Sequence, residues 1–414
     1  MSPNLALLRP IYAAIVLALI PITVSAQQQG LSLDEALQLA GAKSPVASIA
    51  EAEVDIARGN ERQAGYGPNP EVSLEVENIA GSGTFSGLRS NETTLMLTQP
   101  IELGGKRSAR VLAAQAQSSV AELDALISRA DLVLAVRQRF TQAVAAKENV
   151  ALQQSIYERS AELYRIASEL VEAGREPPLR AIRAEAAMAE AETDLRATEA
   201  EYLNARTNLA ELWGASTPPE TIETFWLTPD TVSGTGDIAG TLTLARAEAE
   251  LNAAEAGIVR ERRAAIPDLN VGAGIRRFEE TGDTAFTIGA SMAIPLRNRN
   301  QGGIEAAEAS ARATEGRLLL LRLQLQRECT TLLTTISAAE MRVERLSRVI
   351  LPRAEETLEL AQIGYRYGRF TLIDVLDAAS VRDAALADLI SARTDLAQAT
   401  ATLMQLTQRQ GGES

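Results

Sequence analysis

Two segments exclude most folds at once. From Gly105 to about Ala173, and again from Gly302 to about Tyr367, helix-forming residues run on with Pro352 as the one internal proline. At about 1.5 Å of rise per residue each segment predicts a rod roughly 100 Å long, far beyond the helices of ordinary globular domains. The rods belong to an internal repeat with an offset of roughly 195 residues. Each copy reads helix, strand pair, very long helix, glycine turn, helix.

The strand pairs of the two copies correspond. PNPEVSLEVEN (Pro68 to Asn78) and TTLMLTQPIEL (Thr93 to Leu103) flank a Gly/Ser/Asn-rich loop in the first, and Ile266 to Ile275 and Thr284 to Leu296 flank FEETGD in the second. Pro100 and Pro295 end matching segments. In the last of them Phe286, Ile288, Ala290, Met292 and Ile294 alternate with Thr287, Gly289, Ser291 and Ala293, so one face is apolar and the other tolerates water. Val72, Leu74 and Val76 against Ser73, Glu75 and Glu77 repeat the pattern. Each segment has about the 9–11 residues that a tilted strand needs to cross a bilayer. The same alternation fits two soluble amphipathic hairpins packed on a core, because barrel-strand signals are weak one by one.

Along the second rod Leu325, Cys329, Leu332, Ile336, Ala339, Val343, Leu346 and Ile350 step by four and three, a heptad seam that predicts coiled-coil packing. Cys329 lies on that seam and reads as a small buried hydrophobe. Shorter helices are expected over Pro178 to Leu212 and Leu372 to Leu406, and Ser44-Pro45 reads as an N-cap followed by a first-turn proline. The chain divides into a leader (1–26), a first repeat (27–213), a Pro/Gly/Thr-rich linker or equatorial segment (214–238), a second repeat (239–408) and a disordered tail (409–414).

Composition removes whole classes of function. There is no histidine and one cysteine, so triad nucleophiles, His-based zinc sites and internal disulfides are out, and no cofactor is called for. A formal charge of −14 argues against a nucleic-acid partner. GSGTFSG (Gly81 to Gly87) lacks dinucleotide-fingerprint spacing and reads as a loop. At the N-terminus Arg9, the apolar run Ile11 to Ile20 and Val24-Ser25-Ala26 read as a secretory signal, with an uncleaved anchor as the weaker alternative, and no cysteine follows the cleavage site. No mature segment is long and apolar enough for a membrane helix, so any crossing must be made by β-strands. Four strands cannot close a barrel, and open edges are costly in lipid; several copies must then contribute strands.

Both halves of this plan resemble the TolC-type outer-membrane efflux channels over nearly the whole mature chain. TQPIELGGKRSAR (Thr98 to Arg110) and IPLRNRNQGGIEAA (Ile294 to Ala307) are similar to the strand-to-helix junctions of its heavy-metal branch, serving cobalt-zinc-cadmium and copper/silver tripartite pumps. The resemblance implies a mainly α protomer of coiled-coil helices with four transmembrane strands, and a homotrimer with a twelve-stranded barrel and an α-helical periplasmic tunnel. It also implies a periplasmic adaptor, an inner-membrane proton-driven pump and contact with outer-membrane lipid as partners, and heavy-metal cations as the cargo. IDVLDA then places Asp374 and Asp377 at the family's paired aspartates, a constriction that attracts cations in transit, and Tyr365 at its gating tyrosine. Gly174 and Gly368 match turn glycines, and Arg175, Arg369 and Phe370 belong to the tips expected to meet the adaptor. Two departures stand out: Phe370 occupies an arginine position of the closing network, and Arg180 an acidic one.

Other functions stay open at this point. A duct for drugs or secreted polypeptides uses the same architecture. A periplasmic coiled-coil adaptor explains the rods but not the strands. A secreted enzyme using Asp374 and Asp377 as paired carboxylates is disfavoured, since both lie on one helix face and not across a cleft.

Overall fold

The computed structural model describes residues 30–229, 238–367 and 369–409; the leader, Gly368, the residues 230–237 of the expected linker and nearly all of the tail lie outside them. Two short helices open the chain, α1 (Leu33–Lys43) and α2 (Pro45–Ala64). Ser32 caps α1 in a reciprocal box with Glu35, and Ser44 accepts from the Val46 N–H with Pro45 in the first turn, as the sequence pattern requires. After β1 (Glu71–Glu77) and β2 (Glu92–Ile101) comes α3 (Lys106–Glu172), an unbroken helix of 67 residues, then α4 (Pro178–Ala210). The second half repeats the order with α5 (Leu242–Ala264), β3 (Leu269–Phe278), β4 (Thr284–Met292), α6 (Gln301–Arg345), α7 (Leu351–Arg366) and α8 (Leu372–Leu406).

The second rod departs from expectation. Between α6 and α7 the residues Leu346–Ile350 form a π-helical turn. Pro352 follows, and its missing N–H cannot complete an α-type bond to the preceding turn; the wider turn absorbs the defect while the rod continues. One extra residue rotates everything after it by about 100°. The seam therefore packs as expected from Leu325 through Cys329, Ile336 and Val343 against Leu244, Leu396 and Leu403, and Leu346 joins Leu389 and Ala392. Ile350 leaves it and is 46% exposed.

The strands form one antiparallel sheet in the order β1-β2-β3-β4. They are shorter than the alternating segments suggested: β4 stops at Met292, so Ile294 and Pro295 lie past it, whereas Pro100 sits inside β2 opposite Asn270. Pairing of β1 with β2 ends at Thr98, so at Pro100 the strand has a neighbour on one side only and no N–H is needed on the other. Helix neighbours follow the same order: α2 packs on α3, α3 on α5 and α5 on α6. Sheet and helices are thus one curved wall, each helix continuing its own strand.

A core at the middle of the rods gathers Leu132, Val136, Phe140 and Val144 of α3, Ala36 and Ala40 of α1, Leu209 of α4, and Ile222. The described part of the expected linker or equatorial segment is packed: Ile222 is fully buried, Glu223 N–H donates to the Leu31 carbonyl, and Leu227 contacts Ala397 and Ala401 of α8. Among the described residues no helix is long and apolar enough to cross a membrane.

Candidate functional site

The register assigns each strand residue to a face. Val72, Leu74, Leu95, Leu97, Ile275 and Ile288 share one face, and Glu75, Thr94, Thr98, Gly272, Arg276 and Gly289 the other. The apolar face is bare: Phe286 is 87% exposed and Ile288 86%. The polar face is the less exposed one along β2 and β3, with Thr94 buried, as expected on the inside of a curve. There Arg276 ties three strands together. Its Nε donates to Thr94 Oγ1 at 2.9 Å, one terminal nitrogen to Glu92 at 2.9 Å, and the other lies 3.3 Å from Glu77. Alternation alone places Arg276 inward, a signal the sequence reading did not use. The concave side continues along the helices as a cavity of about 1290 Å³ spanning α2, α3, α5 and α6, with Glu53, Arg110, Arg246 and Arg317 among small residues such as Ala114 and Gly257.

The far end of the molecule carries two helical hairpins, α3–α4 and α7–α8, which turn in the same way. After α3, Gly174 takes φ 67°, its N–H donates to the Val171 carbonyl, and the Arg175 N–H to the Leu170 carbonyl at 2.9 Å. This six-to-one closure needs a left-handed residue at its bend. After α7 the Arg369 N–H donates to the Gly364 carbonyl at 2.8 Å, the same relation one residue beyond Gly368, which itself lies outside the described residues. Phe370 is 50% exposed and lays its ring over Gly364, where a Cβ would stand 2.1 Å from its Cδ2. A glycine at 364 is what lets the ring lie flat on the helix.

Tyr365 packs with Leu358 against Ala361, Val375 and Ala378, so the α7–α8 packing holds its ring. Asp374 has a structural task that the T-x-x-D spacing of Thr371 and Asp374 signals and the sequence reading missed. Its Oδ2 accepts from the Thr371 N–H at 2.6 Å and the Thr371 hydroxyl at 2.7 Å, while its own N–H donates to Thr371 Oγ1 at 3.4 Å, a capping box at the start of α8. The Thr371 hydroxyl and then its N–H hold the Asp374 carboxyl below the ordinary carboxylate range. Asp377, one turn on, is exposed and takes no part in the cap. Part of the negative patch is therefore local helix chemistry, and Asp377 is the carboxylate left over. Arg180, the other departure, is engaged with Glu176 of the turn that precedes its helix, at 3.1 Å. Farther from the tip a half-buried pair, Arg159 of α3 and Asp383 of α8, binds the two hairpins at 2.8 Å, with Arg382 also on Asp383 at 3.0 Å. Among the described residues no group of three or more Asp, Glu or Cys side chains is placed to hold a metal ion. Carboxylates on single helix faces attract a passing cation without sequestering it.

The profile of the family described as outer membrane efflux protein matches residues 23–215 and 238–408. The cobalt-zinc-cadmium resistance protein CzcC of Cupriavidus metallidurans is 30% identical over 366 residues, covering 87% of this chain and 86% of CzcC. The nickel and cobalt resistance protein CnrC of the same organism is 30% identical over 327 residues, 77% of this chain and 76% of CnrC. Among solved structures the chain resembles CusC, described in connection with folding and transmembrane channel formation, with a TM-score of 0.78 at 18% identity over 91% of this chain and 92% of that one.

Proposed function

The chain belongs to the outer membrane efflux protein family, and from that premise we propose that three copies close into the exit duct of a tripartite pump for heavy-metal cations. The protein resides in the outer membrane with its helices in the periplasm, and channels of this family work with an adaptor and an inner-membrane pump. The observation that carries the proposal is the sheet: bare apolar residues on one face, polar residues on the other, and outer edges of β1 and β4 that pair with no strand among the described residues. Backbone groups on such edges cannot stay open in lipid, so β4 of one copy pairs with β1 of the next. About eight strands leave an interior that side chains fill, so the twelve strands of three copies give a barrel with a lumen. The helical wall then closes with the same symmetry into a tunnel. In this reading residues 1–26 are removed on export.

Tyr365, Asp374 and Asp377 form the periplasmic gate, three copies placing rings of carboxylates at the mouth that draw cations in by field. Gly174, Arg175, Gly368, Arg369 and Phe370 form the hairpin tips that dock the adaptor, whose partner pump is proton-driven. Heavy-metal cargo is supported by the names of CzcC and CnrC, both resistance proteins for cobalt and other transition metals. The test is in cells. Deleting the gene raises cellular zinc, cobalt or cadmium under metal load, and a plasmid copy restores it. Unchanged metal content with a rise in drug sensitivity would overturn the metal assignment in favour of a drug duct.

A further inference from the structure

The junctions between strands and rods hold positive charge that conduction does not use. Arg107 at the start of α3 and Arg263 at the end of α5 are exposed, and neither makes an ion pair among the described residues. Their neighbours are engaged: Lys106 with Asp268 at 2.8 Å and Arg262 with Glu308 at 2.7 Å. Arg107 and Arg263 line one groove of about 970 Å³ between α3 and α5, with Leu112 and Val259 in its wall. Leu112 and Val259 lie on the sides of α3 and α5 turned away from Ala114 and Gly257, which line the concave cavity. The groove therefore opens on the outer, convex surface. It lies where the bare apolar face of the sheet ends at Ile101 and at Leu269, the residues that lead into α3 and follow α5.

We propose that this groove is a phospholipid site, in which Arg107 and Arg263 hold the headgroup phosphate of a lipid of the periplasmic leaflet while its chains lie along the apolar face of β2 and β3. Three features commit it to that occupant. In the outer-membrane duct reading, on which this inference rests, the groove is continuous with the surface that faces lipid. Two unpaired guanidinium groups at the membrane boundary match a phosphate in charge and hydrogen-bonding geometry. Leu112 and Val259 give the groove an exposed apolar flank beside the two charges, on which the upper part of a lipid chain can lie. Such a site fixes how deep the channel sits in the membrane, a task that the strands alone leave loose.

The test uses the full mature chain, returned to vesicles of phosphatidylethanolamine and phosphatidylglycerol and re-extracted in mild detergent, with bound lipid counted by native mass spectrometry. Wild type retains phospholipid; R107Q/R263Q binds it roughly thirtyfold more weakly, the effect of two arginines at a membrane surface, and R107K/R263K keeps most of the affinity. Independently of any variant, short-chain phosphatidylglycerol binds the wild type saturably and inorganic phosphate at least tenfold more weakly. Equal lipid retention by the glutamine variant overturns the proposal. So does phosphate binding as tight as lipid binding, which marks a free-anion site, or loss of adaptor binding with lipid retention intact, which marks a protein-docking surface.

Discussion

Ile288 and Gly289 are adjacent in β4 and face opposite sides of the sheet, so one substitution at each position reads out what surrounds them. Ile288 lies at the centre of the strand on the bare apolar face, opposite Ala273, and Gly289 faces the polar side with nothing within 4 Å of an added Cβ. If the apolar face meets lipid, an arginine at 288 costs about 2–4 kcal/mol per copy near the bilayer midplane, or about 6–12 kcal/mol over three copies. That is comparable to the whole stability of an ordinary domain. Gly289→Arg enters the lumen, leaves assembly intact and changes conductance. If the strands were water-exposed hairpins, Ile288→Arg would stay within about 0.5 kcal/mol of wild type, because the side chain is already in solvent. The assay is the fraction of protein recovered from outer-membrane fractions as a detergent-resistant oligomer. Strong loss for Ile288→Arg with normal recovery for Gly289→Arg is expected; equal recovery of both would refute the assignment of faces.

The π-helical turn sets a second contrast: Ile336→Ala in the packed seam costs about 2–4 kcal/mol, while Ile350→Ala falls within about 0.5 kcal/mol, as thermal or denaturant unfolding of the purified protein will show. Thr371→Ala removes the cap of α8 and costs its first turn about 1 kcal/mol, read by hydrogen exchange corrected for intrinsic rates. The Asp374 carboxyl is held below its ordinary range, so its contribution to the cap is complete above that range and is lost as pH falls through its lowered value. The exchange difference between wild type and Thr371→Ala should therefore shrink in acid. Burial pushes the Cys329 thiol up, and it should resist maleimide at mildly alkaline pH in the native protein and react fully once unfolded; rapid native labelling would contradict the packed seam.

Much of the architecture was legible because it rests on periodicities that depend on few contacts. The rods follow from length and the scarcity of proline, the strands from alternation, and Ser44-Pro45 marks a real helix start. What escaped the sequence depends on neighbours. Ile350 fits the heptad spacing, and only the π-helical turn before Pro352 carries it off the seam. The residues 214–229 have the composition of a tether, yet Ile222 and Leu227 find apolar partners on helices distant in sequence. At the candidate gate, spacing and charge present Asp374 and Asp377 as a gate pair or as two solvated carboxylates near a helix N-terminus, whereas local hydrogen bonds divide them into a capping residue and a solvated one. Arg159 and Asp383 meet only because α3 and α8 cross, which no local pattern encodes.

The central claim is that copies of this chain enclose a cation-conducting pore with the Asp377 carboxylates at its mouth. Single-channel recording of the mature protein in planar lipid bilayers, under a salt gradient, tests it directly. Asp377→Ala is the informative variant, because Asp377 stands outside the capping box and its loss spares the start of α8. A stable, cation-selective conductance, blocked by zinc or cobalt ions from the periplasmic side and less selective in Asp377→Ala, is the expected result. A pore with the same selectivity and block in both proteins would contradict the gate assignment, and well-folded protein that remains in the soluble fraction would contradict the channel itself.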